Sequence, residues 1–174
     1  GRNHLLHIAA SPQASAVFLA QRPPENPAEP PLFCMVLRKQ LEGSRIADIR
    51  QHALDRIIVF DFDSLAAGGK IVTKTLIVEL IGKYSNIILV QDGVVIDALK
   101  KVGSANSRTR LILPAREYAP PPAQEKLDLR TVKPDIIVER LAQDAEATLC
   151  KGLLNVCLGF GPVSAREVIF SAGL

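Results

Sequence analysis

Short apolar runs recur over the first hundred positions of the chain and predict β-strands. The segments NHLLHIAA and SAVFLAQ flank a Ser-Pro-Gln break, which indicates an opening hairpin. Further strands are predicted over residues 45–50, 54–63 and 71–81. They are followed by a hairpin of NIILV and VVIDALK around an Asp-Gly step. Consecutive strands of this kind favour an antiparallel sheet or sandwich.

Helical spacing of apolar residues occurs once early in the chain and again near its end. After a proline-rich loop at residues 22–31, the recurrence of apolar side chains predicts a helix over residues 32–42. Residues 103–134 read as loop, and from residue 135 the segments DIIVERLAQ, AEATLCKGLLNVCL and PVSAREVIFSAGL predict helices. The sequence therefore predicts an α+β protein with a β-rich domain at 1–132 and a helical segment at 133–174.

Composition narrows the class of protein. With 48% hydrophobic and 22% charged residues the chain is globular, and its net charge of +3 permits a polyanionic partner. No apolar run approaches the roughly 20 residues that span a bilayer, so we expect no membrane contact. The three cysteines lack metal-ligand spacing and lie away from the histidines, so we predict no metal, no cofactor and no disulfide framework. Because no leader precedes Gly1, we expect a fragment.

No motif points to catalysis. The chain has no nucleophile elbow, Walker loop or paired-carboxylate spacing, so we predict that it is not an enzyme. The stretch GFGPVSA, residues 159–165, is typical of a helix-hairpin-helix, in which Gly159, Phe160 and Gly161 would turn the chain toward a phosphate. An ordinary pair of helices that packs on protein is the alternative.

Two charged positions interrupt the predicted strands. Asp55 and Arg56 stand side by side before the apolar run IIVF, and Glu79 shares a strand face with Ile77 and Ile81. A charge among apolar neighbours is costly unless it is paired. One interpretation is that Arg56 and Glu79 pair across the sheet and set its register, and the other is that these charges serve a function.

Several long blocks of the chain resemble the N-terminal domain of the NFACT family: PLFCMVLRKQLEGSRIADIRQHALDRIIVFDF, TKTLIVELIGKYSNIILVQDGVVIDALKKV, LILPAREYAPPPAQEKLD and GFGPVSAREVIFSAGL. These are the fibronectin-binding-protein-like factors of ribosome-associated quality control. The resemblance implies a cytoplasmic protein that binds tRNA and the large ribosomal subunit carrying an obstructed peptidyl-tRNA. Bacterial members recruit alanyl-tRNA for untemplated tailing. It also implies a sheet like that of the N-terminal domain of formamidopyrimidine-DNA glycosylases.

The same resemblance implies site residues. The family's Asp-Arg motif falls on Asp55 and Arg56, and its Glu-x-x-Gly-Lys segment falls on Glu79 and Lys83. Arg38 and Lys39 are candidate phosphate contacts, with a solvated helix face as the alternative. The family often has Gly where this chain has Ala115.

Two other functions stay open at this point. Some members carry the name of fibronectin-binding proteins, so a surface-displayed adhesin that binds fibronectin is one alternative. A glycosylase-like protein that binds DNA is the second, and it rests on analogy of fold alone.

Overall fold

The computed structural model describes residues 3–104 and 110–174, which divide into two compact units, Gly1–Pro121 and Pro122–Leu174. This division comes before the predicted boundary at residues 132 and 133. The reason is a bridge formed by Leu127, whose N–H donates to the Val156 carbonyl and whose carbonyl accepts from the Leu158 N–H. These bonds tie the start of the second unit to the end of one of its helices.

The first unit contains a hairpin, one helix and a five-stranded sheet, in the order β1 (Leu5–Ala9), β2 (Ala16–Ala20), α1 (Leu32–Leu41), β3 (Arg45–Gln51), β4 (Ile57–Leu65), β5 (Ile71–Glu79), β6 (Asn86–Gln91) and β7 (Val94–Ala98). Strands β1 and β2 pair with each other, and β3 to β7 pair in chain order. Every pairing is antiparallel, which confirms the predicted α+β class with antiparallel strands.

The five-stranded sheet is covered on both faces over its central strands. One face packs against α1 and the hairpin, through Phe33, Phe60, Leu76, Val78 and Leu89 among others. The other face packs against the chain that follows β7, through residues that include Ile57, Ile77, Ile88, Val95 and Ile112. Burial on both faces explains why β6 is a continuous apolar run and does not alternate.

The β6–β7 hairpin forms as the sequence predicts. Asp92 and Gly93 both have positive φ, at 51° and 79°, which is the conformation that a tight two-residue hairpin turn requires. Asp tolerates this conformation better than most residues, and Gly adopts it without steric cost.

The second unit holds three helices, α2 (Pro134–Ala142), α3 (Leu149–Val156) and α4 (Pro162–Ser171). Pro134 and Pro162 each occupy the first helical turn, where the missing N–H costs nothing. Thr148 caps α3, because its hydroxyl accepts a hydrogen bond from the Lys151 N–H. The helices share a small core around Leu153, Cys157 and Ala165.

None of the helices within residues 3–104 and 110–174 is long and apolar enough to cross a membrane. Across those same ranges, no group of three or more His, Cys, Asp or Glu side chains is placed to hold a metal ion.

A candidate nucleic-acid interface at one end of the sheet

Asp55 and Arg56 lie in the turn between β3 and β4. The prediction that a strand begins at residue 54 is wrong by three positions, because β4 begins at Ile57. The turn closes where the His52 N–H donates to the Ile57 carbonyl at 3.0 Å and the Asp55 N–H donates to the His52 carbonyl at 3.0 Å. Asp55 is half-buried and Arg56 is exposed. The two charges therefore sit outside the strand and cost its core nothing.

A second segment joins this turn at the same end of the sheet. The Leu80 N–H donates to the Arg56 carbonyl at 2.7 Å, directly after the paired positions Ile57 and Glu79. The chain then makes a short 3-10 turn at Gly82–Tyr84, where Gly82 has a φ of 53°. The structure thus brings the Asp-Arg pair next to the start of the Glu-x-x-Gly-Lys segment.

Lysines after β7 complete this end of the sheet. The Lys100 ammonium donates to the carbonyls of Ser85 at 2.7 Å and Ala10 at 2.9 Å. The Asn86 side chain also bridges to the Lys100 main chain, donating to its carbonyl and accepting from its N–H. We call the residues 55–56, 80–85 and 100–101 the turn end of the sheet. Its exposed cations are Arg56, Lys83 and Lys101.

Glu79 faces the interior and not this surface. Its side chain is fully buried, and the interpretation that pairs it with Arg56 is wrong, because its cation is Arg110. The carboxylate accepts one bond from each Nη nitrogen of Arg110 and a third from the Tyr118 hydroxyl at 2.9 Å. Burial and the nearby carboxylate raise the pKa of Tyr118 above its usual value, so the hydroxyl keeps its proton and donates it.

The sequence pattern marks neither partner of Glu79. Arg110 and Tyr118 come from the proline-rich stretch that the sequence predicts as loop, where no periodicity marks a residue as buried. The Arg110 guanidinium also lies 5.4 Å from the centre of the Tyr118 ring, and its Nε donates to the Ala119 carbonyl. One usable signal is the buried Glu79 itself, which demands a cation from somewhere in the chain.

Arg38 and Lys39 are not at the turn end. Both are exposed in the last turn of α1. Next to them, the Gln40 carbonyl accepts a hydrogen bond from the Lys74 ammonium at 3.0 Å. Lys74 lies early in β5, whereas the turn end follows the last residue of that strand. The two sets of cations are therefore separated along the sheet, and Arg38 and Lys39 stay predicted contacts of a different surface.

In the second unit, Gly159 to Gly161 connect α3 to α4. Gly159 has a φ of 78°, which favours glycine, and half-buried Phe160 packs into the small helical core. Gly161 has a φ of −115° and caps α4, and a Cβ there would meet nothing within 4 Å. The backbone conformation therefore requires glycine at position 159 and not at 161. Binding of a phosphate by this turn stays a prediction.

Comparison with known proteins agrees with the resemblance. The model of a family described as NFACT N-terminal and middle domains matches residues 1–174. The chain is 38% identical over 176 residues to the Rqc2 homolog RqcH of Bacillus subtilis (strain 168), covering 100% of the chain and 31% of that protein. It is 29% identical over 147 residues to the archaeal Rqc2 homolog aRqcH of Methanocaldococcus jannaschii, covering 83% and 21%. The chain thus spans about a third of its bacterial relative's length.

Solved structures show the same fold. The N-terminal domain of fibronectin-binding protein PavA from Streptococcus pneumoniae has a TM-score of 0.82 and 35% identity, covering 98% of this chain and 64% of that one. The fibrinogen-binding protein from Staphylococcus aureus has a TM-score of 0.81 and 30% identity, covering 97% and 59%. With a family match over its whole length, this chain belongs to the NFACT family.

Proposed function

We propose that this domain is the tRNA-binding module of a ribosome-associated quality-control factor. It would hold a tRNA on the large ribosomal subunit that carries an obstructed peptidyl-tRNA, so that alanine is added without a template. The observation that supports this role is the turn end of the sheet, where the Asp55–Arg56 turn projects from a rigid backbone beside exposed lysines. The similarity to Rqc2 homologs supports a role in ribosome-associated quality control.

The turn suits recognition because its main chain is already ordered. The Gln51 side chain donates to the Asp55 carbonyl at 2.8 Å, and the Leu80 N–H holds the Arg56 carbonyl. The Arg56 guanidinium is free to project and can form paired hydrogen bonds to a phosphate or to a base edge. A half-buried carboxylate at Asp55 can accept hydrogen bonds from a base or from a ribose hydroxyl. Binding therefore costs little main-chain conformational entropy.

The proposed role is placement without chemistry. Peptide bonds in such tailing would form at the peptidyl-transferase centre of the ribosome, and the domain would contribute the position of the tRNA.

The α3–α4 turn is proposed as a second phosphate contact, through the main chain after Gly159. The likeness to the N-terminal domain of formamidopyrimidine-DNA glycosylases also stays a proposal, and cleavage of oxidised-purine DNA by the full-length protein would be its functional test.

A fibronectin-binding adhesin is the second candidate, and a specific observation favours it. The similar solved domain from Streptococcus pneumoniae is named a fibronectin-binding protein. Binding of the full-length protein to immobilised fibronectin and to tRNA, both at about 150 mM salt, distinguishes the two functions because screening there weakens loose charge attraction.

The decisive experiment uses Asp55→Ala and Arg56→Ala in the full-length protein. Both variants keep the turn, because its hydrogen bonds use main-chain atoms of these residues. Each should lose about ten- to a hundredfold in tRNA affinity, the usual cost of one charge-assisted contact. Arg45→Ala is the matched control, because Arg45 is 79% exposed and lies at the far end of β3. Unchanged tRNA affinity in both test variants refutes the proposal.

A further inference from the structure

We propose that Tyr84 is a stacking platform for an unpaired nucleobase of the RNA that binds at the turn end. The inference rests on the proposed tRNA-binding function and specifies what part of the RNA this surface reads. Tyr84 is 69% exposed, an unusual amount for an aromatic side chain. The other tyrosine, Tyr118, donates a hydrogen bond to Glu79, and its ring lies beside the Arg110 guanidinium.

The backbone beneath the Tyr84 ring is rigid. The Tyr84 N–H donates to the Ile81 carbonyl and the Ser85 N–H donates to the Gly82 carbonyl, each at 3.0 Å. Ser85 is fully buried, so the chain leaves the surface directly after the ring. An aromatic group held on an ordered backbone binds a flat ligand with little loss of conformational entropy. The exposed ring is therefore presented outward and not folded onto the protein.

A cation occupies one side of the ring. The Lys83 ammonium lies 5.0 Å from the centre of the Tyr84 ring, within the range of a cation–π contact. The ring is 69% exposed, and among the described residues of this unit no hydrogen bond or ring stack holds it, so ring surface stays open to a base. A nucleotide stacked there would place its backbone within reach of Lys83.

The surrounding charge favours a nucleic acid over a protein surface. Hydrogen bonds join the Tyr84 turn to Arg56 through Leu80 and to Lys100 through Ser85. Exposed cations thus lie on the two segments joined to this turn, Arg56 on one and Lys101, next to Lys100, on the other. An aromatic face beside cations is the usual arrangement for binding single-stranded nucleic acid, whereas a duplex hides its base faces inside the stack. The occupant we infer is consequently an unpaired nucleotide.

The test compares Tyr84→Ala with Tyr84→Phe in the full-length protein. The probes are tRNA, a short unpaired oligoadenylate and a blunt RNA duplex of equal length. Because stacking contributes roughly 1–3 kcal/mol per base, Tyr84→Ala should weaken oligoadenylate binding about tenfold. Binding of the duplex should not change, and Tyr84→Phe should bind all three probes as the unchanged protein does. Ultraviolet crosslinking of bound tRNA should map to the peptide that carries Tyr84.

The outcomes separate this inference from the function on which it rests. Oligoadenylate affinity that is unchanged by Tyr84→Ala, or reduced equally for the duplex, overturns the stacking role. If Asp55→Ala and Arg56→Ala still lower tRNA affinity about ten- to a hundredfold in that case, the proposed function stands without the stacking role. If neither of those variants changes tRNA binding, the proposed function fails, whatever Tyr84 does. A melting temperature for each variant shows whether lost binding reflects lost folding.

Discussion

The Glu79 carboxylate and the Arg110 guanidinium form a bidentate ion pair inside the first unit. Both Nη nitrogens of Arg110 donate to Glu79, whose side chain is 1% exposed, while that of Arg110 is 16% exposed. The pair connects the end of β5 to the chain that covers one face of the sheet. Each charge compensates the other at a buried position where water cannot solvate it well.

Arg110→Ala should lower the free energy of unfolding by about 3–5 kcal/mol, because it leaves a buried carboxylate without its cation. Arg56→Ala is the control, and it should change stability by no more than about 0.5 kcal/mol since its side chain is exposed. Urea unfolding of both variants measures the difference. A larger loss in Arg56→Ala than in Arg110→Ala would contradict this assignment and restore the pairing predicted from the sequence.

Ala115→Gly should stabilise the protein by roughly 0.5–1 kcal/mol. Ala115 has a φ of 60°, a left-handed conformation in which a Cβ is strained and glycine is not. Ala66→Gly is the matched control, because Ala66 is exposed and extended with a φ of −84° and should gain nothing. Melting temperatures that rise equally in both variants would exclude strain relief as the cause.

Gly159→Ala and Gly161→Ala should differ in stability. The first variant forces a Cβ into a left-handed backbone with a φ of 78° and should lose about 1–2 kcal/mol. The second lies in an extended conformation with open space around it and should lose less, because the poorer capping by alanine is offset by the smaller entropy of its unfolded chain. Chemical unfolding checks both. Equal losses would show that the turn depends on Gly161 in a way its geometry does not explain.

A carboxylate at the start of the second unit should make stability depend on acid pH. Hydrogen bonds from Arg130 lower the pKa of Asp128 to about 2. Because the pKa of Asp128 is lower in the folded than in the unfolded protein, its ionised carboxylate stabilises the fold at pH values above the ordinary pKa of 3.8. This stabilisation is lost as the pH falls toward about 2. Asp128→Asn should remove that part of the pH dependence. Melting curves between pH 5 and pH 2 that run parallel in the two proteins would disprove it.

Local patterns in the sequence were enough to predict much of the fold. The Asp92–Gly93 step gives a hairpin because these two residues accept positive φ, and Pro162 starts a helix because its ring fits the first turn. Both effects act within a few residues, so no tertiary contact is needed to produce them. The long sequence blocks that resemble the NFACT family likewise predicted membership of it, and the family match confirms this prediction.

Tertiary structure decided where the charges go. Alternation placed Glu79 among apolar neighbours, but its partner Arg110 lies 31 residues away in a stretch without periodicity, so no local rule could choose it over Arg56. The Asp55–Arg56 pair became a surface turn only because Ile57 and Glu79 pair directly, which sets where β4 begins. Sequence determines which side chains are costly to bury, and packing of distant segments determines which of them meet.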